Sequence, residues 1–318
     1  MEEIIRMLPE TIKSIIEAYQ RRVLKPIEEI RIRVNRPLEV ISNGRPEYPS
    51  MSSDANGRAY FVTVEDGVHL LNKLSQFSLY AFEEELRRGY ITIKGGHRVG
   101  LAGKVITEKG QVKVIRDVSS FNIRVATQKE GTAERWAPYL YKNRWLNTLI
   151  IGPPQSGKTT FLRDVARIAS QGTAGLRIRS SKVGIVDERS EIAGCIHGVP
   201  QHNLGPRVDV LDSCPKAEGI MMMIRSLSPE VIIVDEIGRQ EDAEAILEAL
   251  NAGVQMIMTA HGYGIENVLK RPIFQRLMEI QLFDRFIEMS QSSGPSRVKR
   301  ILDAEFNPLM ISKNKVST

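Results

Sequence analysis

Residues 151–160 read IGPPQSGKTT, and Gly152 to Thr159 fit the spacing G-x-x-x-x-G-K-[ST] without a mismatch. That spacing is a phosphate grip: backbone N–H groups at a helix start converge on an anion, and the second glycine lets the chain approach it closely. In such a loop Lys158 reaches the β and γ phosphates of a nucleoside triphosphate such as ATP, and Thr159 holds Mg²⁺ through its hydroxyl. Pro153 and Pro154 have no N–H to offer, so the cradle runs from Gln155 through Ser156 and Gly157 to Thr160, with the prolines stiffening the approach.

Hydrolysis needs acids as well as a grip. In LSPEVIIVDEIGR four apolar residues lead to Asp235 and Glu236, placing them at the C-terminal end of a buried strand, beside the phosphate loop of a parallel sheet. Asp235 is suited to hold Mg²⁺ through water and Glu236 to orient or polarise the attacking water. VGIVDERSEIAG ends a second buried run with Asp187 and Glu188, which leaves the base open between Glu188 and Glu236. A third run, VQMIMTAHGYG, ends with Thr259 and His261. A polar strand tip near the γ-phosphate can sense it, although a lone histidine serves structure as readily.

These residues need a frame. Short apolar runs alternate with helical stretches from Leu146 onward, the pattern of a parallel sheet buried on both faces. A strand is predicted over 147–151 and a helix from Thr160 to about Ser170. The fold class expected for 146–318 is α/β. Residues 1–118 read as a smaller α+β domain: an amphipathic helix ending near Pro26, alternating strands around Ile30, Ile32 and Val34, helical texture over 65–88, then three strand-like runs forming an antiparallel sheet. Residues 119–145 are expected to link the two parts.

The chain has 318 residues, 26% charged and 42% hydrophobic, with a formal net charge of +6, the balance of a globular protein. Residues 1–145 carry 24 Lys and Arg against 18 Asp and Glu, and the remainder 20 of each. A basic first part suits an anionic partner, a nucleotide, or a solvated surface. No run reaches the 18 or more apolar residues of a membrane span, no secretory signal pattern opens the chain, and two cysteines fit a reducing cytoplasm. Cys195, His197, His202 and Cys214 are zinc-ligand types without paired C-x-x-C spacing. Met221 to Met223 read as helix packing.

The phosphate loop, VDERSE, VIIVDEIGR and MTAH, in that order, resemble the four nucleotide-contacting boxes of the type II and type IV secretion and pilus ATPases, RecA-like hexameric motors. Over nearly the whole chain GGHRVGLAGKV, SSFNIRVA and GPRVDVLDSCPKAEGIMMMIRSLSPEVIIVDEIGR resemble the stage III sporulation AA family. The resemblance implies that Glu188 activates water and that Arg98 and Arg124, from the N-terminal domain, clasp the phosphates. Arg225 and Arg239 become candidates for inter-subunit contacts. Asp235 departs from the glycine that many secretion ATPases carry before the Walker B glutamate, which shifts metal handling toward it.

The function implied is a Mg-ATP-hydrolysing homo-hexameric motor on the cytoplasmic side of a membrane, energising the membrane proteins of a stage III sporulation complex. A nucleic-acid-dependent ATPase is the alternative, but aromatics interleaved with basic residues, as in single-strand binders, are missing from the sequence. A nucleotide-gated assembly factor with slow turnover is the third reading.

Overall fold

The computed structural model describes residues 1–23, 25–50, 58–75, 86–87, 89–108, 110–126, 129–291 and 297–311. They form two units, Met1–Thr127 and Gln128–Thr318. In the first, α1 (Glu2–Met7) and α2 (Glu10–Arg22) replace the single helix expected up to Pro26. Pro9 separates them because it lacks an N–H and its ring clashes with a preceding turn; its fixed φ instead suits the entry to α2. Ile12, Ile15, Ile16 and Tyr19 share the buried face of α2.

The strands β1 (Ile27–Arg33), β2 (Glu39–Ser42) and β3 (Arg45–Glu47) follow, with Ile30 and Ile32 in the core and Arg31 and Arg33 outside it. After α3 (Val64–Ser75), most of the second expected helical stretch lies outside the described residues. The strands β4 (Tyr90–Ile93), β5 (His97–Glu108) and β6 (Gln111–Arg124) complete a sheet ordered β3-β2-β1-β6-β5-β4, antiparallel throughout.

His97 opens β5 buried, and its Nδ1 accepts the Ala126 N–H at 2.9 Å. Burial, reinforced by the nearby N-terminal charge, pushes its pKa down to about 4 from 6.5. The unfolded chain therefore takes up a proton below pH 6.5 that the folded unit refuses, so stability holds above that pH and is lost as pH falls toward 4. Glutamine can accept the same N–H without titrating. Denaturant titrations are expected to show the wild-type advantage over His97→Gln shrinking by about 2 kcal/mol between pH 7 and 4, after allowance for screening; a pH-independent difference would refute this.

Residues 119–145, expected as a linker, are largely built into the two units. Residues 119–124 complete β6, and Ala133, Trp136, Ala137, Leu140 and Trp145 join the core of the second unit through α4 (Ala137–Leu140), β7 (Tyr141–Lys142) and β8 (Arg144–Trp145).

The second unit continues with β9 (Thr148–Gly152), α5 (Lys158–Gln171), β10 (Val183–Asp187), β11 (Val208–Asp212), α6 (Lys216–Ser226), β12 (Val231–Val234), α7 (Gln240–Asn251) and β13 (Gln255–His261). Then come α8 (Ile265–Val268), α9 (Pro272–Glu279), β14 (Arg285–Met289), β15 (Val298–Leu302) and β16 (Pro308–Ile311). The sheet order is β11-β10-β12-β13-β9-β14-β15-β16, parallel as far as β14 and antiparallel beyond.

Both faces are covered. Ile150, Ile185, Ile233, Ile257 and Ile287 pack with Phe161 and Val165 of α5; Ile151, Val186, Val234, Met258 and Phe286 pack with Ile220, Met223, Ile246 and Phe274 from α6, α7 and α9. That two-sided burial is why the strands read as unbroken apolar runs. Among the described residues no helix is long and apolar enough to cross a membrane.

Candidate functional site

The end of β9 lies level with the end of β13, His261 opposite Gly152. From Gly152 the chain turns through the prolines into α5, which begins at Lys158, two residues earlier than expected. Gln155 (φ 62°) and Gly157 (φ 88°) take left-handed conformations. A Cβ on Gly157 would also sit 2.8 Å from Arg297 Nη1, and one on Gly152 only 2.5 Å from Ser156 Oγ. Side chains are therefore excluded from both positions, and the loop keeps its concave path with the leading α5 amides at its end. From outside, Gln291 Nε2 donates to Pro154 O at 2.8 Å and Arg297 Nη1 to Gln155 O at 3.1 Å.

Lys158 is buried, and its Nζ donates to Gly152 O at 2.9 Å and Pro153 O at 3.0 Å. Burial lowers its pKa against the opposing pull of Asp235 and Glu236. Its Nζ also lies 3.3 Å from His261 Nδ1. An ammonium only donates, so Nδ1 accepts and Nε2–H donates to Glu236 Oε1 at 2.6 Å. Glu236, itself left-handed at φ 54°, receives Arg189 Nη1 at 3.0 Å on its other oxygen.

Thr159 Oγ1 donates to Asp235 Oδ2 at 2.8 Å. Thr259, fully buried, hydrogen-bonds Asp235 Oδ1 and accepts the Glu236 N–H at 2.8 Å. Thr259 therefore fixes where Asp235 points and where Glu236 leaves the strand. Thr159 Oγ1 and the Asp235 carboxylate form a pair of hard oxygen donors of the kind that Mg²⁺ binds, with Lys158 beside them for an anion.

The second acidic pair divides. Asp187 accepts the N–H groups of Glu191, Ile192 and Ala193 at 2.8, 2.9 and 2.8 Å. Burial raises its pKa more than these bonds lower it, to about 6. Arg163 on α5 closes the same loop by donating to Ile192 O and Glu191 O, both at 2.7 Å. Glu188 pairs with Lys216 and lies 3.8 Å from Arg239 Nη1. Partial burial would raise its pKa, but the hydrogen bond and charge of Lys216, then Arg239 and Arg189, hold it below the ordinary carboxylate value.

Lys216, Arg189 and Arg163 were not picked out from sequence. Arg163 follows Thr159 by one helical turn, a legible signal; Lys216 meets Glu188 across 28 residues and leaves none.

Arg98 and Arg124 belong to the first unit. They sit directly opposite each other on β5 and β6, with the Arg98 guanidinium 3.5 Å from the Tyr90 ring centroid and Arg124 Nε 3.5 Å from Glu29 Oε1. Like charges directly opposite each other oppose pairing across a ladder, and the Glu29 carboxylate and the Tyr90 ring each offset one of these two.

The family described as Sporulation stage III, protein AA, matches residues 1–308. The chain is 56% identical over 309 residues, 97% of each chain, to the stage III sporulation protein AA of Bacillus subtilis (strain 168). Among solved structures it is similar to the Legionella pneumophila ATPase DotB (TM-score 0.56, 16% identity, 87% of this chain and 74% of that one). It is also similar to the pilus retraction motor PilT with bound ADP (TM-score 0.57, 17% identity, 88% and 76%). At these identities the likeness establishes the fold alone, a RecA-like α/β fold.

Proposed function

Because the chain belongs to the sporulation stage III, protein AA, family, we propose that it is a Mg-ATP-hydrolysing motor energising a membrane-embedded sporulation complex from the cytoplasmic side. The observation that carries this reading is the 2.8 Å contact between Thr159 Oγ1 and Asp235 Oδ2, with Lys158 at the head of the same helix. Hydrolysis of a phosphoanhydride needs a cation site and an anion grip side by side, and a merely structural loop has no use for either.

The left-handed backbone at Gln155 and Gly157 and the amides leading into α5 suit phosphate, and the two oxygen donors suit Mg²⁺, which when bound would draw charge from the phosphate oxygens. Lys158 exchanges its two carbonyl partners for phosphate oxygens. Amides from Gln155 to Thr160 cradle the phosphates. Glu236 orients the attacking water, and His261, touching both Lys158 and Glu236, is placed to report whether the γ-phosphate is present. The resemblance to the secretion ATPases gives Arg98 and Arg124, opposite each other on β5 and β6, as further phosphate contacts in this reading.

A slow, nucleotide-gated assembly factor is the second reading. It is favoured by both candidate bases being engaged in ion pairs, Glu188 with Lys216 and Glu236 with Arg189.

The test is phosphate release by the purified chain alongside its mass with and without Mg-ATP. Release that requires Mg²⁺ together with assembly toward a hexamer is expected; a strictly monomeric species that releases nothing would sink the motor reading. In the same assay Arg98→Ala and Arg124→Ala are each expected to slow turnover by about tenfold, the equivalent of ~1.4 kcal/mol in the barrier, with circular dichroism unchanged. Wild-type rates from both would remove the clasp.

A further inference from the structure

On the side of the second unit away from α5, helices α6 and α7 leave between them a groove of about 740 Å³. Its floor is Ala217, Met221, Met222 and Leu247; Met223 and Met221 pack against the core as expected of the methionine run, whereas Met222 is half exposed. Its walls are acidic: Glu218 on α6, and Glu241, Glu244 and Glu248 along one face of α7. The cations facing it are Arg225 and Arg276. Arg276 lies 3.7 Å from Glu244, and among the described residues no ion pair engages Glu218, Glu241 or Glu248.

We propose that this groove docks a cationic amphipathic helix of a partner protein. An apolar floor between two helices accepts residues spaced i, i+3, i+4 and i+7, and methionine adapts to the shape of what it meets. Four carboxylates against two guanidiniums select lysine- or arginine-bearing flanks and repel acidic ones. The negative rim also stands out on a chain whose formal net charge is +6.

The groove has a mechanical link to the site described above. Lys216 is the first residue of α6 and Arg239 the residue leading into α7, and both approach Glu188. Asp242 turns back to accept the Gly238 and Arg239 N–H groups at 3.0 and 2.9 Å, leaving the Arg239 guanidinium for Glu188. An occupant that spreads α6 from α7 therefore acts on two ion pairs beside the acidic strand ends.

The docking inference stands apart from hydrolysis. Its test uses the full chain and a fluorescent synthetic helix of leucine and lysine at amphipathic spacing, with a leucine and glutamate counterpart as control, read by anisotropy. The lysine peptide is expected to bind, to weaken with salt, and to bind at least about tenfold less well to Met222→Asp and to the double variant Glu241→Lys/Glu248→Lys. All three substituted side chains are exposed, and thermal melts check that the fold is kept. No binding to the wild type, equal binding to the variants, or equal binding of the acidic peptide would overturn it. So would a self-association of the chain that these substitutions abolish while peptide binding persists, since the groove would then join two copies. Phosphate release measured on the same samples separates failure here from failure of the ATPase reading.

Discussion

Glu236→Gln is expected to lower phosphate release at saturating Mg-ATP by ~10³-fold and to leave ATP affinity within about threefold, whereas Glu188→Gln lowers release by no more than about tenfold. The asymmetry comes from what each carboxylate touches. Glu236 follows Asp235 directly off β12, its N–H is fixed by Thr259, and His261 joins it to Lys158. Its backbone is thus tied through Thr259 to Asp235, and its carboxylate through His261 to Lys158. Glu188 spends its oxygens on Lys216 and Arg239, and these cations stabilise the ionised form and lower its appetite for a proton.

Glutamine preserves the shape of either side chain and can still accept from His261, but it cannot take a proton from water. The exposed Arg189 partner of Glu236 contributes little to stability, so the variant should fold. Resemblance to the secretion ATPases implies Glu188 as the base, and the link through His261 to Lys158 argues for Glu236. If Glu188→Gln proves the slower enzyme, Glu236 is not the base and the argument from that link fails. Unaltered turnover in both would exclude both.

The elements that sequence exposes are those whose cause is local. The strand–loop–helix around Gly152 to Thr159 follows from residue types that no other backbone path needs, and the two-sided burial of β9, β10, β12 and β13 is written in their apolar runs. Pro9 was visible too, but the amphipathic spacing on either side of it reads through the break. What stayed hidden depends on distant neighbours. Trp136, Ala137 and Leu140 sit in a polar stretch that looks like a linker, and only the core they enter makes them structural. Arg98 and Arg124 meet only because β5 and β6 pair in one register, 26 residues apart. Lys216 reaches Glu188 because β11 and the start of α6 return to the end of β10, a closure that no periodicity encodes.

Lys158→Ala is expected to weaken ATP binding by at least ~100-fold, because it removes the charge-assisted hydrogen bonds that a phosphate would gain. The ammonium is buried against two neutral carbonyls, and burial lowers its pKa. An anionic oxygen is a better acceptor than either carbonyl, so the exchange favours binding, and alanine has nothing to exchange. The fold has less at stake: Gly152 O also accepts the Gly262 N–H at 3.2 Å, and deleting a buried charge offsets part of the cavity left behind. Nucleotide-free melting should therefore stay within a few degrees of the wild type, equivalent to about 1 kcal/mol. At Mg-ATP a hundred times the wild-type dissociation constant, ligand linkage raises wild-type stability by ~2.7 kcal/mol and that of the variant by less than ~0.5 kcal/mol. A variant that keeps the full ATP-dependent shift would show that the loop grips its ligand without Lys158, and would remove the phosphate grip from which the rest of the mechanism is built.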